Sequence, residues 1–124
     1  MNKIFVLILM IFFHIVDDYY LQGILASMKQ EEWWKENASQ SLYKYDYIVA
    51  LIMHSFSWAF MIMLPIALYL NFDISVAYLI ALLLNMVIHC FVDDLKANKK
   101  KINLVIDQTI HMVQIMITAL IYLI

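Results

Sequence analysis

One stretch of the chain, residues 74–96, reads ISVAYLIALLLNMVIHCFVDDLK and decides the fold. It is apolar enough to lie inside a membrane, yet four polar side chains recur in it at intervals of four, four and three residues. They are Asn85, His89, Asp93 and Lys96. On an α-helix these intervals place all four side chains on one face. Ionisable groups are costly in lipid, so we expect this face to contact protein, water or a bound ion.

The whole chain has the composition of a membrane protein. Of its 124 residues, 65% are hydrophobic and only 15% are charged, with one Gly and one Pro. Long apolar runs on this background are typical of transmembrane helices, and the length fits a single domain. The net charge is −2 and no basic cluster is large, so we expect no nucleic-acid partner. The partner that the composition indicates is the lipid bilayer.

The hydropathy pattern predicts four transmembrane helices, at about residues 4–24, 47–70, 74–94 and 104–124. Each is long enough to cross a hydrocarbon core of about 30 Å. Between the first two, a polar segment at about residues 28–42 contains Trp33 and Trp34. This mixture is typical of a short helix in the headgroup region, and an ordinary loop with two exposed tryptophans is the alternative. The expected fold is an all-α integral membrane four-helix bundle with one interfacial helix.

The lysines are distributed unevenly between the two sides of the predicted bundle. Four crossings put the loop after the first helix and the loop after the third on the same side. Those two loops and their flanks hold every lysine except Lys3. The positive-inside rule therefore places both loops in the cytoplasm and both termini outside. The expected localisation is the inner (cytoplasmic) membrane.

Every predicted helix carries polar side chains toward its cytoplasmic end. Three helices each have a histidine and an aspartate four residues apart, and the remaining helix has a lone histidine. These residues are His14 with Asp18, His89 with Asp93, Asp107 with His111, and His54. A histidine and a carboxylate at this spacing can give a metal two ligands, or one ligand and the group that orients it. The sequence predicts all seven as candidate ligands of one or two divalent ions: Zn²⁺, Fe²⁺ or Mn²⁺.

Three polar side chains are also candidate catalytic residues. Asp18 or Asp93 would act as a general base, or would hold a histidine tautomer beside an activated water. Lys96 either extends to the headgroups or reaches an anionic substrate. Asp17 and Asp94 fall off the inner helical faces, and we interpret them as charges at the membrane boundary.

The same residues resemble a family of small, functionally uncharacterised membrane proteins from bacteria and phages. The shared pattern is a His-x-x-x-Asp followed by Leu-Gln, a lone His, a His-x-x-x-Asp-x-x-Lys and an Asp-Gln-x-x-His. In this chain it is formed, in the same order, by His14/Asp18/Leu21/Gln22, His54, His89/Asp93/Lys96 and Asp107/Gln108/His111. The resemblance spans nearly the whole chain. It implies a multi-pass membrane protein and carries no activity with it.

The leading hypothesis is a metal-dependent hydrolase that acts at the membrane face on a phospholipid or another amphipathic ester or phosphoester. One alternative is a proton or metal-ion pathway through the bundle, which the unbroken apolar runs at residues 4–13 and 119–124 disfavour. Another is a non-catalytic accessory protein whose His–Asp contacts fix helix register, each worth about 1 kcal/mol. The sequence leaves the substrate and the oligomeric state open.

Overall fold

The structure is a computed structural model that describes residues 1–124, and it contains helices and no strand. The helices are α1 (Lys3–Ile15) with a π-helical extension (Val16–Leu21), α2 (Leu25–Met28), α3 (Glu31–Asn37), α4 (Asp46–Tyr69), α5 (Val76–Ala97) and α6 (Leu104–Leu123), with a 3₁₀ turn at Ser41–Tyr43. Four of them, counting α1 with its extension, are long and apolar enough to cross a membrane. The prediction of an all-α fold with four membrane-crossing helices is confirmed.

The four long helices form a ring. Helix α1 packs against α4 and α6, and α5 packs against the same two helices. Large apolar side chains such as Phe12, Leu83 and Ile121 are exposed on the outside of this ring. A surface of this kind suits contact with acyl chains, and it would be unfavourable in water.

Capping side chains and a tight turn fix the ends of the long helices. Asn2, Ser75 and Asn103 each accept a hydrogen bond from a backbone N–H in the first turn of α1, α5 and α6, respectively. Each cap satisfies an N–H group that has no partner within its helix, which is worth about 1 kcal/mol. Between α4 and α5 the chain reverses through Asn71 and Phe72, with φ values of 52° and 59°. Helices α4 and α5 are therefore antiparallel neighbours.

The interior of the bundle has an apolar half and a polar half. The apolar half contains twelve buried side chains, among them Val6 and Met10 of α1, Ile62 of α4 and Leu123 of α6. In a bilayer these contacts stabilise the bundle through close packing rather than through release of water. The ionisable interior side chains lie in the other half, next to the α1–α4 and α5–α6 connections.

The chain between α1 and α4 folds over the polar end of the bundle. Gly23 begins this segment with a φ of 55°, a conformation that glycine adopts at little cost. The Asn98 side chain, at the end of α5, accepts a hydrogen bond from the Glu31 backbone N–H at 2.7 Å and donates one to the Lys29 carbonyl at 3.0 Å. These contacts place the two connections at the same end of the molecule.

Candidate metal centre

Three side chains from three helices bring donor atoms to one point. His54 Nε2 lies 3.2 Å from His89 Nε2 and 3.2 Å from Asp18 Oδ1, and His89 Nε2 lies 3.9 Å from the same oxygen. Ligands bound about 2.1 Å from one ion lie about 3.0–3.4 Å apart in octahedral or tetrahedral coordination. The three donors, which we call the triad, are therefore close to the spacing that one ion requires. Two histidines and one carboxylate also form the ligand set of catalytic zinc and non-haem iron sites.

A change of helix type brings the Asp18 side chain into the triad. Residues Val16–Leu21 form a π-helix, in which hydrogen bonds run from i to i+5 and each turn is wider than an α-helical turn. Both Asp17 and Asp18 consequently face the interior, and Asp17 is only 1% exposed. The prediction that Asp17 lies at the membrane boundary is wrong, because it assumes α-helical spacing where the chain forms a wider turn.

Asp17 lies behind the His54 ring. Ser57 Oγ donates to Asp17 Oδ1 at 2.5 Å, and Asp17 Oδ2 lies 3.8 Å from His54 Nδ1. Neither of the last two atoms has a hydrogen-bond partner, and both are buried. A carboxylate that accepts the N–H of a metal-binding imidazole orients the ring and raises its basicity. At 3.8 Å the two atoms are not hydrogen-bonded, and a small approach of the carboxylate would give His54 such a partner.

Asp93 borders the triad and contacts two lysines. Its Oδ2 lies 3.7 Å from His54 Nε2. Lys29 Nζ donates to Asp93 Oδ1 and Oδ2 at 2.9 and 2.8 Å, and Lys96 Nζ is 4.0 Å from Oδ1. The Lys96 ammonium also donates to Asp107 Oδ2 at 2.9 Å. Asp93 therefore lies between the two ammonium groups, and Lys96 pairs with a carboxylate within the protein.

His14 is fully hydrogen-bonded by protein groups. Trp58 Nε1–H can only donate, and it lies 2.7 Å from His14 Nδ1, so this nitrogen is the acceptor. His14 Nε2 then carries the proton and donates to Gln108 Oε1 at 2.9 Å. The Gln108 amide nitrogen in turn donates to Asp18 Oδ2 at 3.2 Å and to Asp107 Oδ2 at 2.9 Å. This chain of hydrogen bonds helps to orient the triad carboxylate.

His111 lies against the triad through ring stacking. Its ring centroid is 4.2 Å from that of His89, and the Trp58 ring stacks on His89 at 4.3 Å. His111 Nε2 lies 3.2 Å from Asp107 Oδ1, and Nδ1 lies 3.0 Å from Gln114 Oε1. Both ring nitrogens of His111 face protein oxygens, so this ring supports the triad from the side.

The seven predicted ligands lie in one cluster but have different surroundings. The triad contains Asp18, His54 and His89, and Asp93 borders it. The other three, which are engaged with protein partners around it, are His14, Asp107 and His111.

Four further residues belong to the cluster although they were not predicted as site residues. Trp58 follows His54 by four residues, so helical spacing would have identified it. Gln108 follows Asp107 directly and is part of the motif quoted above. Asp17 and Lys29 carry no such signal, because a short π-helix departs from the α-helical period and a loop has no period.

The cluster holds more negative than positive charge. Its four carboxylates contact two ammonium groups, Lys29 and Lys96, and the imidazoles. His111 faces protein oxygens with both ring nitrogens, an arrangement that suits its protonated form. With that positive charge counted and the carboxylates ionised, one negative charge remains in excess, and a bound cation would compensate it inside a membrane protein.

The model of a family described as "Protein of unknown function (DUF3307)" matches residues 6–124, which include every residue of the candidate metal centre. No curated protein and no solved structure matches the chain. Because the family model covers nearly its full length, the chain belongs to the DUF3307 family.

Proposed function

We propose that this protein is a metal-dependent hydrolase of the inner membrane, acting on a phospholipid or another amphipathic ester or phosphoester. The observation that carries the proposal is the convergence of Asp18, His54 and His89, whose donor atoms all lie within 4.8 Å of one another. A divalent ion held there would supply Lewis-acid activation of water and of the scissile bond. Zn²⁺, Fe²⁺ and Mn²⁺ each suit two imidazoles and one carboxylate.

The protein's own groups are arranged for the accompanying proton transfers and for binding. Asp93 is the candidate general base, because its Oδ2 borders the triad, 3.7 Å from His54 Nε2. Lys96 is the candidate contact for negative charge on the substrate, because its side chain is 29% exposed, against 7% for Lys29. The hydrogen bond from Gln108 keeps Asp18 directed toward the two imidazoles.

The surroundings of the site favour a substrate that comes from the bilayer. Helix α3 carries Trp33 and Trp34 beside the polar end of the bundle, as is typical of a helix at headgroup depth. The exposed lysines Lys99 and Lys100 lie at the same end, which favours a cytoplasmic location for it and an outer location for the termini. Ester bonds of lipids lie at this depth.

The test is hydrolysis by the purified protein in nanodiscs. Fluorescent phospholipid vesicles and p-nitrophenyl esters and phosphodiesters would serve as substrates. We expect product release that stops with a chelator, returns with one of Zn²⁺, Fe²⁺ or Mn²⁺, and is lost in Asp18→Asn. Asp73→Asn, an exposed change in the α4–α5 turn, is the control and should retain activity. A protein that holds its metal yet hydrolyses none of these substrates would contradict the proposal.

A hydrogen-bonded row beyond the site favours a second candidate, a proton pathway. His111 contacts Gln114, Gln114 donates to the Asn85 carbonyl at 3.2 Å, and Asn85 donates to Thr118 at 3.0 Å. The row then meets Leu123 and the rest of the apolar core, where the buried Tyr78 hydroxyl donates to the Met63 carbonyl and not to the row. Hydrolysis is therefore the better-supported function. A change of lumenal pH in proteoliposomes under an imposed pH gradient, with no release of lipid hydrolysis products, would favour the pathway instead.

A further inference from the structure

Lys29 is a loop residue whose side chain is buried. It follows α2, in the connection that covers the polar end of the bundle, and it is 6% exposed. Lysines at such positions normally extend to water, and burying an ammonium is unfavourable unless it is paired. Its Nζ is paired with both oxygens of Asp93, at 2.8 and 2.9 Å. The ammonium thus contacts both carboxylate oxygens, as a metal ion does in bidentate coordination.

The contact lies directly beside the triad. Asp93 Oδ2 is 2.8 Å from Lys29 Nζ on one side and 3.7 Å from His54 Nε2 on the other. In two-metal hydrolytic sites a pair of ions lies about 3.5–4 Å apart and acts on the same substrate. Asp93 occupies the corresponding place between the triad and a second positive charge. Here that charge belongs to the chain itself.

The position of Lys29 is fixed by the backbone around it. The Lys29 carbonyl accepts a hydrogen bond from Asn98 Nδ2 at 3.0 Å, and the Glu31 N–H donates to the Asn98 oxygen. Asn98 lies just over one helical turn beyond Asp93 on the same segment. The loop and the carboxylate are therefore tied to the same end of α5, which holds the ammonium in place without a further ligand.

We propose that Lys29 is the second cation of this centre. Its ammonium fills the subsite next to Asp93 that a second divalent ion would otherwise occupy, so the protein binds one metal ion rather than two. This assignment rests on the proposed metal-dependent function and makes Lys29 a positioning residue for Asp93. A covalently attached cation stays beside Asp93 whatever the concentration of free metal.

The experiment removes the ammonium and offers a metal in its place. Lys29→Ala leaves Asp93 with only the Lys96 ammonium, 4.0 Å from its Oδ1, and opens space beside it that water and a hard ion can fill. Mg²⁺ and Mn²⁺ bind readily to one carboxylate with several waters. The double variant Lys29→Ala/Asp93→Asn removes the carboxylate as well. Lys35→Ala, which changes a 69% exposed lysine on α3, is the matched control. Bound Mn²⁺ per chain and the midpoint of thermal unfolding are measured for each protein in nanodiscs.

We expect about one Mn²⁺ in the wild type, Lys35→Ala and the double variant, and about two in Lys29→Ala. The unfolding midpoint of Lys29→Ala should fall in chelator and recover with millimolar Mg²⁺ or Mn²⁺, whereas those of the other three should not depend on Mg²⁺. One ion in both the wild type and Lys29→Ala would overturn the assignment alone. The same conclusion would follow if Lys29→Ala could not be recovered folded with Mn²⁺ while the double variant folds. A wild type that binds no ion would overturn the proposed function and this assignment together.

Discussion

The Nε2 atoms of His54 and His89 lie 3.2 Å apart and face each other across the α4–α5 interface. Without an ion, this contact requires that one nitrogen carry a proton and the other accept it. An ion between them would be bound by both lone pairs, and each ring would then carry its proton on Nδ1. The two helices therefore hold the imidazoles in a position that suits either a hydrogen bond or a metal.

His54→Ala and His89→Ala should each lose most of the bound metal. The reason is that each removes one of three triad donors, and a two-donor remnant binds far more weakly. His14→Ala should retain the metal, because both His14 nitrogens are engaged by Trp58 and Gln108. Metal per chain is measured by elemental analysis after desalting. Equal loss in all three variants would contradict the separate roles of these histidines.

Asp17→Asn should weaken metal binding about 10- to 100-fold, because the carboxylate behind His54 would lose its charge. Competition with a chelating dye measures the affinity. Asp94→Asn is the matched control, since Asp94 contacts Asn98 and Lys99 rather than the triad. If Asp94→Asn weakened binding equally, the effect would come from general charge and not from the position of Asp17.

Trp58→Phe should lower the free energy of unfolding by about 1–3 kcal/mol, because it leaves the buried His14 Nδ1 without a donor. Trp33→Phe is the control: Trp33 is half-buried in α3 and stacks edge-on against Trp34, and its change should cost within about 0.5 kcal/mol. Reversible unfolding in mixed micelles measures both. Equal stability of the two variants would argue against the Trp58–His14 hydrogen bond.

Cysteine labelling tests the orientation. In a Cys90→Ala background, cysteines at Asn37 and Lys101 should be protected from an impermeant thiol reagent added outside the cell. A cysteine at Asp73, in the α4–α5 turn at the other end of the bundle, should react. All three positions are exposed, so differences in burial do not explain the pattern. The reverse labelling would place the site on the outer face.

Periodic features of the site could be predicted from the sequence. His89 with Asp93, and Asp107 with His111, follow α-helical spacing on helices whose outer faces are apolar. Such rows face the interior, because lipid offers charged groups no partner. Four long helices with a polar end could be predicted for the same reason. Such predictions hold wherever the backbone keeps the regular period of an α-helix.

Other features of the site depend on segments that do not follow the period of an α-helix. Asp17 enters the site because the chain forms a π-helix, and Lys29 enters it because a loop folds back over the bundle. The different roles of the four histidines depend on their hydrogen-bond partners; His14, for example, is engaged by Trp58 on α4 and Gln108 on α6. Spacing within one helix carries no information about partners on another.

The apolar half of the bundle determines from which side of the membrane an ion can reach the site. Val6, Ile62, Ile66 and Leu123 close the interior on the side of the termini, so most of the membrane voltage falls across that half. Moving one charge through the full voltage costs about 2.3 kcal/mol per 100 mV. An ion that enters from the loops crosses little of it. We therefore expect metal occupancy of the proposed centre to follow the free metal concentration in the compartment that bathes the loops, and to be nearly independent of the membrane potential.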